Sequence, residues 1–175
     1  MTNQDADAQA ESRPAPGSPQ DAIAILEPLL ADQQQALGAE HPGTLLSRNS
    51  LANAYQDAGR TDDAIAILEP LLADRERTLG TEHPNALRTR NNLAIVYQDA
   101  GRNDDAIAIY EPLLGDLERI LGAEHPDTVG SRNNLANAYE AAGRTADADR
   151  VRDRLADWDG GPGAVKQGPS VFDVE

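Results

Sequence analysis

The chain has 175 residues, with 15 lysines and arginines against 30 aspartates and glutamates, a formal charge of −15. That balance argues against nucleic acid and anionic membrane, whose phosphates need a basic face, and favours at most a basic or neutral partner. There are no cysteines, which excludes disulfides and thiolate metal sites. No apolar run approaches the roughly 20 residues of a membrane span, and the start lacks the basic and apolar stretches of a secretory signal, so cytoplasm is the expected compartment.

Met1 to about Ser18 is polar and aperiodic and is predicted to be a disordered arm. A helix then opens with Ser18 as N-cap, Pro19 at the first helical position and Asp21 in the first turn. Ala22, Ile25 or Leu26, Leu29 and Leu30 form one apolar stripe, and Gly38 closes the helix. Asp63–Leu79 and Asp105–Leu121 repeat this segment, closing at Gly80 and Gly122. These B helices each carry a central proline, Pro28, Pro70 or Pro112, which implies a tolerated kink or, alternatively, a helix split in two.

Between helices come Ala39-Glu40-His41-Pro42 and its copies at Thr81–Pro84 and Ala123–Pro126. The A helices are predicted over Thr44–Ala58, Ala86–Ala100 and Thr128–Ala142, each ending at a glycine, with Thr61, Asn103 and Thr145 as N-caps of the following B helix. The last B helix, Ala146–Trp158, keeps only Ala148, Val151, Leu155 and Trp158 as an apolar stripe; its polar remainder suits a terminal unit. From Asp159 the chain reads Asp-Gly-Gly-Pro-Gly, a break followed by a flexible tail ending Val171-Phe172-Asp173-Val174-Glu175. The expected organisation is an arm 1–18, a repeat domain 19–158 (leading B helix 19–38, repeats 41–80, 83–122 and 125–158) and a tail 159–175.

The recurring element is Leu51-Ala52-x-x-Tyr55-x-x-x-Gly59 followed by Ala64, which returns 42 residues later as Leu93, Ala94, Tyr97, Gly101 and Ala106, and again in worn form from Leu135 to Ala148. A fixed period of this length marks a stack of like supersecondary units. The Leu-Ala, Tyr and Gly-to-Ala spacing resembles the tetratricopeptide repeat. The 42-residue period, the His-Pro linker and Asn-Asn-Leu-Ala at Asn91–Ala94 and Asn133–Ala136 resemble its kinesin light chain variety. The resemblance implies an all-α, right-handed superhelix of helical hairpins and a scaffold or adaptor that binds a peptide or protein segment in a concave groove. The single lysine, Lys166, against fourteen arginines reads as a GC-rich bacterial genome.

The resemblance places Asn49, Asn53, Asn91, Asn133 and Asn137 on that groove, with Arg88 and Gln98 nearby. Asparagine offers both a donor and an acceptor, which suits holding a peptide backbone; the alternative is that these amides fix unit packing, the favoured reading for Asn92 and Asn134. Arg48, Arg90 and Arg132 repeat beside them, either to meet a partner's carboxylates or, the favoured reading on so acidic a chain, to pair internally. His41, His83 and His125 are one per unit, too far apart for a metal, and are expected to cap or pack the linker. No catalytic constellation or phosphate loop is present, so neither an enzyme nor a cofactor is expected. The rival function is self-assembly, a homodimer through Ile25, Leu26, Leu29 and Leu30 of the leading B helix. A third idea seats the tail Val171–Glu175 in the groove, in cis or in trans.

Overall fold

The computed structural model describes residues 17–153 together with Ser170 and Phe172. Residues 1–16 of the predicted arm, Leu155 and Trp158 of the last predicted helix, and the rest of the tail lie outside the described residues. The chain divides into two units, Met1–Arg60 and Thr61–Glu175. In the first, α1 (Pro19–Leu37) packs on α2 (Pro42–Asp57). The second holds α3 (Thr61–Leu79), α4 (Pro84–Asp99), α5 (Asn103–Leu121), α6 (Pro126–Ala141) and α7 (Thr145–Asp153). Each helix of the second unit packs on the next, and α4 also touches α6. Every regular element among the described residues is a helix, and the fold class is the all-α repeat architecture expected.

The helix ends follow from local chemistry. Ser18 caps α1, accepting from the Asp21 amide at 3.2 Å. The three linker histidines are the N-caps of α2, α4 and α6. Nδ1 of His41, His83 and His125 accepts the amides of Gly43, Asn85 and Asp127 at 3.1, 3.1 and 3.2 Å. An Nδ1 that accepts is the unprotonated nitrogen, so each imidazole does the work usually given to Ser or Asp. Proline follows at the first helical position, where its missing N–H costs nothing. The A helices therefore begin at Pro42, Pro84 and Pro126, two residues before the predicted starts. Thr61, Asn103 and Thr145 are first helical residues rather than caps. At α5 the cap is Arg102, whose carbonyl accepts from the Ala106 amide at 3.1 Å with no side-chain bond.

Each B helix runs unbroken through its proline, so the split reading is overturned. Proline removes a donor to the carbonyl four residues back, here Ala24, Ala66 and Ala108. All three alanines and all three prolines are exposed, which lets water reach the released carbonyls. Opposite that face lies the core. In the second unit Ile65, Leu68, Leu71, Leu87, Leu93, Ile107, Leu113, Leu117 and Leu135 are buried, and the signature alanines Ala94, Ala106, Ala136 and Ala148 are fully so. Their small size lets helices approach closely, and any larger side chain there overpacks.

Two backbone positions need glycine for different reasons. Gly101 has φ 73° and closes α4 in a Schellman turn, with the Arg102 amide reaching the Tyr97 carbonyl at 2.8 Å. Gly122, after α5, has φ 96° and ψ 159°, a region only glycine occupies freely. An added methyl at Gly122 meets nothing within 4 Å, so Gly122→Ala measures backbone strain alone. It should lower stability by about 1–3 kcal/mol. Gly115→Ala, on the exposed face of α5 with equal free space, should raise stability by about 0.5–1 kcal/mol. Urea unfolding of the two variants checks both signs.

Candidate functional site

The signature tyrosine of every repeat ties its A helix to the B helix before it. Tyr55 donates to Glu27 at 2.6 Å, Tyr97 to Glu69 at 2.5 Å, and Tyr139 to Glu111. The arginine after the turn glycine lies over each ring, Arg60 and Arg102 at 4.4 Å from the centroid and Arg144 at 4.6 Å. Cation and ring attract, and the same arginines supply the turn's closing amide. Burial, and then the bond to Glu69, push the Tyr97 hydroxyl up to about 12. Tyr139 is raised to about 12 by burial and then Glu111, and Tyr110 is raised well above the ordinary range by burial.

The ladder arginines of the second unit are turned inward. Arg90 pairs with Glu76 at 2.6 Å and Asp116 at 2.9 Å, linking α3 to α5. Arg132 is 1% exposed, pairs with Glu118 at 2.9 Å and donates to the Ala123 carbonyl at 3.2 Å. Both pair internally, and neither lines the cleft described below. Arg48 is half-buried in the first unit. Arg88 is buried on α4 and donates to Asn85 Oδ1 at 3.3 Å; burial lowers its pKa. Arg75 on α3, which the sequence reading did not single out, is fully buried and bonds the Asn85 carbonyl and Thr89 Oγ1. Burial first, and then the charge of Arg88, bring it down to about 10. Its repeat equivalent is Leu117, a core residue, and that periodic match was the available signal.

One cleft lies between α4 and α6. It has a volume of about 280 Å³ and is lined by Asn91 of α4 and by Asp127, Gly130, Ser131 and Asn134 of α6, with Ser170 and Phe172. Asp127, Gly130, Ser131 and Asn134 fall at three- and four-residue steps and so share one helix face. Two polar atoms in its lining, Asn91 Oδ1 and Ser131 Oγ, are buried with no hydrogen-bond partner among the described residues. A buried polar atom without a partner carries a desolvation cost of about 1–3 kcal/mol, and two of them in one cleft mark a place for donors and acceptors from elsewhere.

Asn91 is thus brought to the cleft, 8% exposed, and Asn134 also lines it, its side chain in addition meeting the hydroxyl of buried Tyr110. Asn133 and Asn137 are exposed on α6 and do not line the cleft, Asn137 accepting from Arg152 at 3.3 Å. Gln98 donates to the Asn134 backbone carbonyl at 3.4 Å, a bond that joins the two A helices. In the first unit Asn49 is half-buried, while Asn53 is exposed and lines a second cleft with Leu26 and Ser50. Of the leading-helix stripe, Ile25 is 66% and Leu29 42% exposed, Leu26 is half-buried and Leu30 is buried. No group of His, Asp and Glu among the described residues could hold a metal ion, and no described helix is long and apolar enough to cross a membrane.

The sequence profile of the tetratricopeptide repeat matches at residues 17–72, 47–114 and 96–151. The chain belongs to the tetratricopeptide repeat family. Two crystal structures of a kinesin light chain-like protein of Podosopora anserina, with nearly identical TPR-like repeats, are similar to it. One of them, a point variant, is 33% identical with a TM-score of 0.74, covering 78% of this chain and 65% of that one. The other is 32% identical with a TM-score of 0.73, covering 87% and 72%. BtubC (BKLC) from P. vanneervenii shares the fold at 19% identity and a TM-score of 0.66, covering 83% and 61%. This chain thus spans about two thirds of the length of these proteins, just under it for the first. A search of curated proteins gives no match. The kinesin light chain variety read from the 42-residue period is the one found.

The repeat's tyrosines set an alkaline limit. The folded pKa values of Tyr97 and Tyr139 lie near 12, above the roughly 10 of an unfolded tyrosine. The stability they contribute is therefore complete below pH 10 and is lost as pH rises towards 12. Urea midpoints should hold up to about pH 10 and then fall together with the appearance of phenolate absorbance. In Tyr97→Phe/Tyr139→Phe the fall should be shallower, and each substitution should cost about 1 kcal/mol at neutral pH.

Proposed function

We propose that this tetratricopeptide repeat protein is a protein-interaction scaffold that holds a peptide segment along the α4–α6 cleft. The observation that carries the reading is the pair of buried, unpartnered atoms Asn91 Oδ1 and Ser131 Oγ, one from each helix of the cleft. An extended peptide offers amide donors to Asn91 and Ser131 and carbonyls to the Asn134 amide. Arg90 and Arg132 are engaged with Glu76, Asp116 and Glu118, so recognition rests on amide and hydroxyl groups rather than on a clamp of positive charge. The module works as a binding protein and not as an enzyme, in the cytoplasm, consistent with its acidic surface and the absence of a membrane-length helix among the described residues.

A second reading is favoured by the exposure of Ile25 and Leu29. These side chains give α1 an apolar face on which a second copy can pack. Under it, light scattering shows a dimer that Leu29→Glu dissolves, and a monomer at all concentrations overturns it.

The cleft reading is tested by selecting peptides from a displayed random library on the full chain. Asn91→Ala/Asn134→Ala should keep its far-UV circular dichroism yet bind the selected peptides at least about tenfold more weakly, the loss of a single net hydrogen bond or more. Equal binding by the variant overturns the reading.

A further inference from the structure

Ser170 and Phe172 stand apart from the helices in sequence but line the α4–α6 cleft. The Ser170 hydroxyl donates to Asp127 Oδ1 at 2.6 Å, and its oxygen accepts the Phe172 amide at 3.0 Å. That second bond, from the amide two residues on, ties Phe172, the only phenylalanine of the chain, to Ser170 at the cleft. The acceptor is itself held in place. Asp127 is 6% exposed, and its amide is capped by His125 at 3.2 Å.

The repeat provides an internal control. The positions equivalent to Asp127 are Gly43 and Asn85, and those equivalent to Gly130 are Leu46 and Arg88. Only the last A helix carries a carboxylate at the first position and no side chain at the second. Both residues line the cleft where Ser170 and Phe172 sit, and an added methyl on Gly130 would meet nothing within 4 Å. An acid accepts a hydroxyl donor, and a missing side chain leaves room for one from the tail. The carboxylate is the departure that the tail engages, through Ser170, and the glycine leaves open space one turn on.

From this match, which rests on the cleft reading above, we infer that the Ser170–Phe172 segment is a built-in ligand of the cleft, competing in cis with any outside peptide. Its chemistry also names the preferred partner: a hydroxyl residue two positions before an aromatic. Charge provides the release. A negative group on Ser170 would face the Asp127 carboxylate and expel the segment. A tethered segment meets its site at roughly millimolar effective concentration, so an intrinsic affinity of about 0.1 mM in cis weakens outside binding about tenfold.

The test uses the full chain and a fluorescent peptide of residues 167–175. Ser170→Asp/Phe172→Ala alters only the tail and should bind the peptide about tenfold more tightly than the unaltered chain. Adding Asp127→Ala to that variant should abolish the binding. Equal affinity of the unaltered chain and the tail variant, with binding still lost on Asp127→Ala, overturns the competition and leaves the cleft as a peptide site. No binding by any of the chains also overturns the inference, while the library selection decides the cleft reading separately.

Discussion

A buried tyrosine hydroxyl held by a glutamate of the preceding helix is the contact on which each repeat depends. Tyr55, Tyr97 and Tyr139 reach back to Glu27, Glu69 and Glu111, and in each case the arginine after the turn covers the ring. The turn glycine is part of the same device. Its left-handed backbone directs the arginine amide to the tyrosine carbonyl and brings the guanidinium round onto the ring. Helix end, turn and interhelical bond are therefore set by a few residues, Tyr-x-x-x-Gly-Arg and a distant Glu. The surface beyond them is left to vary.

An acidic chain with few cations has to place them with care. Arg90 bridges two B helices through Glu76 and Asp116, and Arg132 pairs with Glu118 of α5. Arg75 goes further and replaces a core leucine, its guanidinium bonded to Thr89 and the Asn85 carbonyl. Burying a cation so incurs a large desolvation cost, and its lowered pKa is the sign of that cost. The result for recognition is a cleft whose walls are amides, hydroxyls and one carboxylate, suited to reading hydrogen-bond donors and shape.

The 42-residue period made the fold legible, because Tyr, Gly and Ala recur at positions with a single structural use. The helix starts were less so. His before Pro reads as a linker unless imidazole is counted as a cap, which moves the A helices back by two residues. The amide ladder was legible only in part. One step along a helix turns a side chain by about 100°, so Asn134 lines the cleft while Asn133 does not. Asp127 and Gly130 were visible as breaks in the period, but only the fold shows that they share a face with each other and with the tail. For the arginines the excess of acids favoured internal pairing, but only the fold names the partners.

The tyrosine–glutamate bridges also have a genetic consequence. Each spans 28 residues within a 42-residue period. Excising residues 84–125 would bring Tyr139 to 28 residues after Glu69, the separation at which the bridge forms, with a His-Pro linker replaced by its copy. The units are interchangeable parts, and a repeat can be lost or gained by recombination without orphaning a tyrosine. What such an event cannot reproduce is the last A helix. Asp127 and Gly130 occur in one A helix alone, so arrays of any length built from the other units would still hold a single cleft with a carboxylate in its lining.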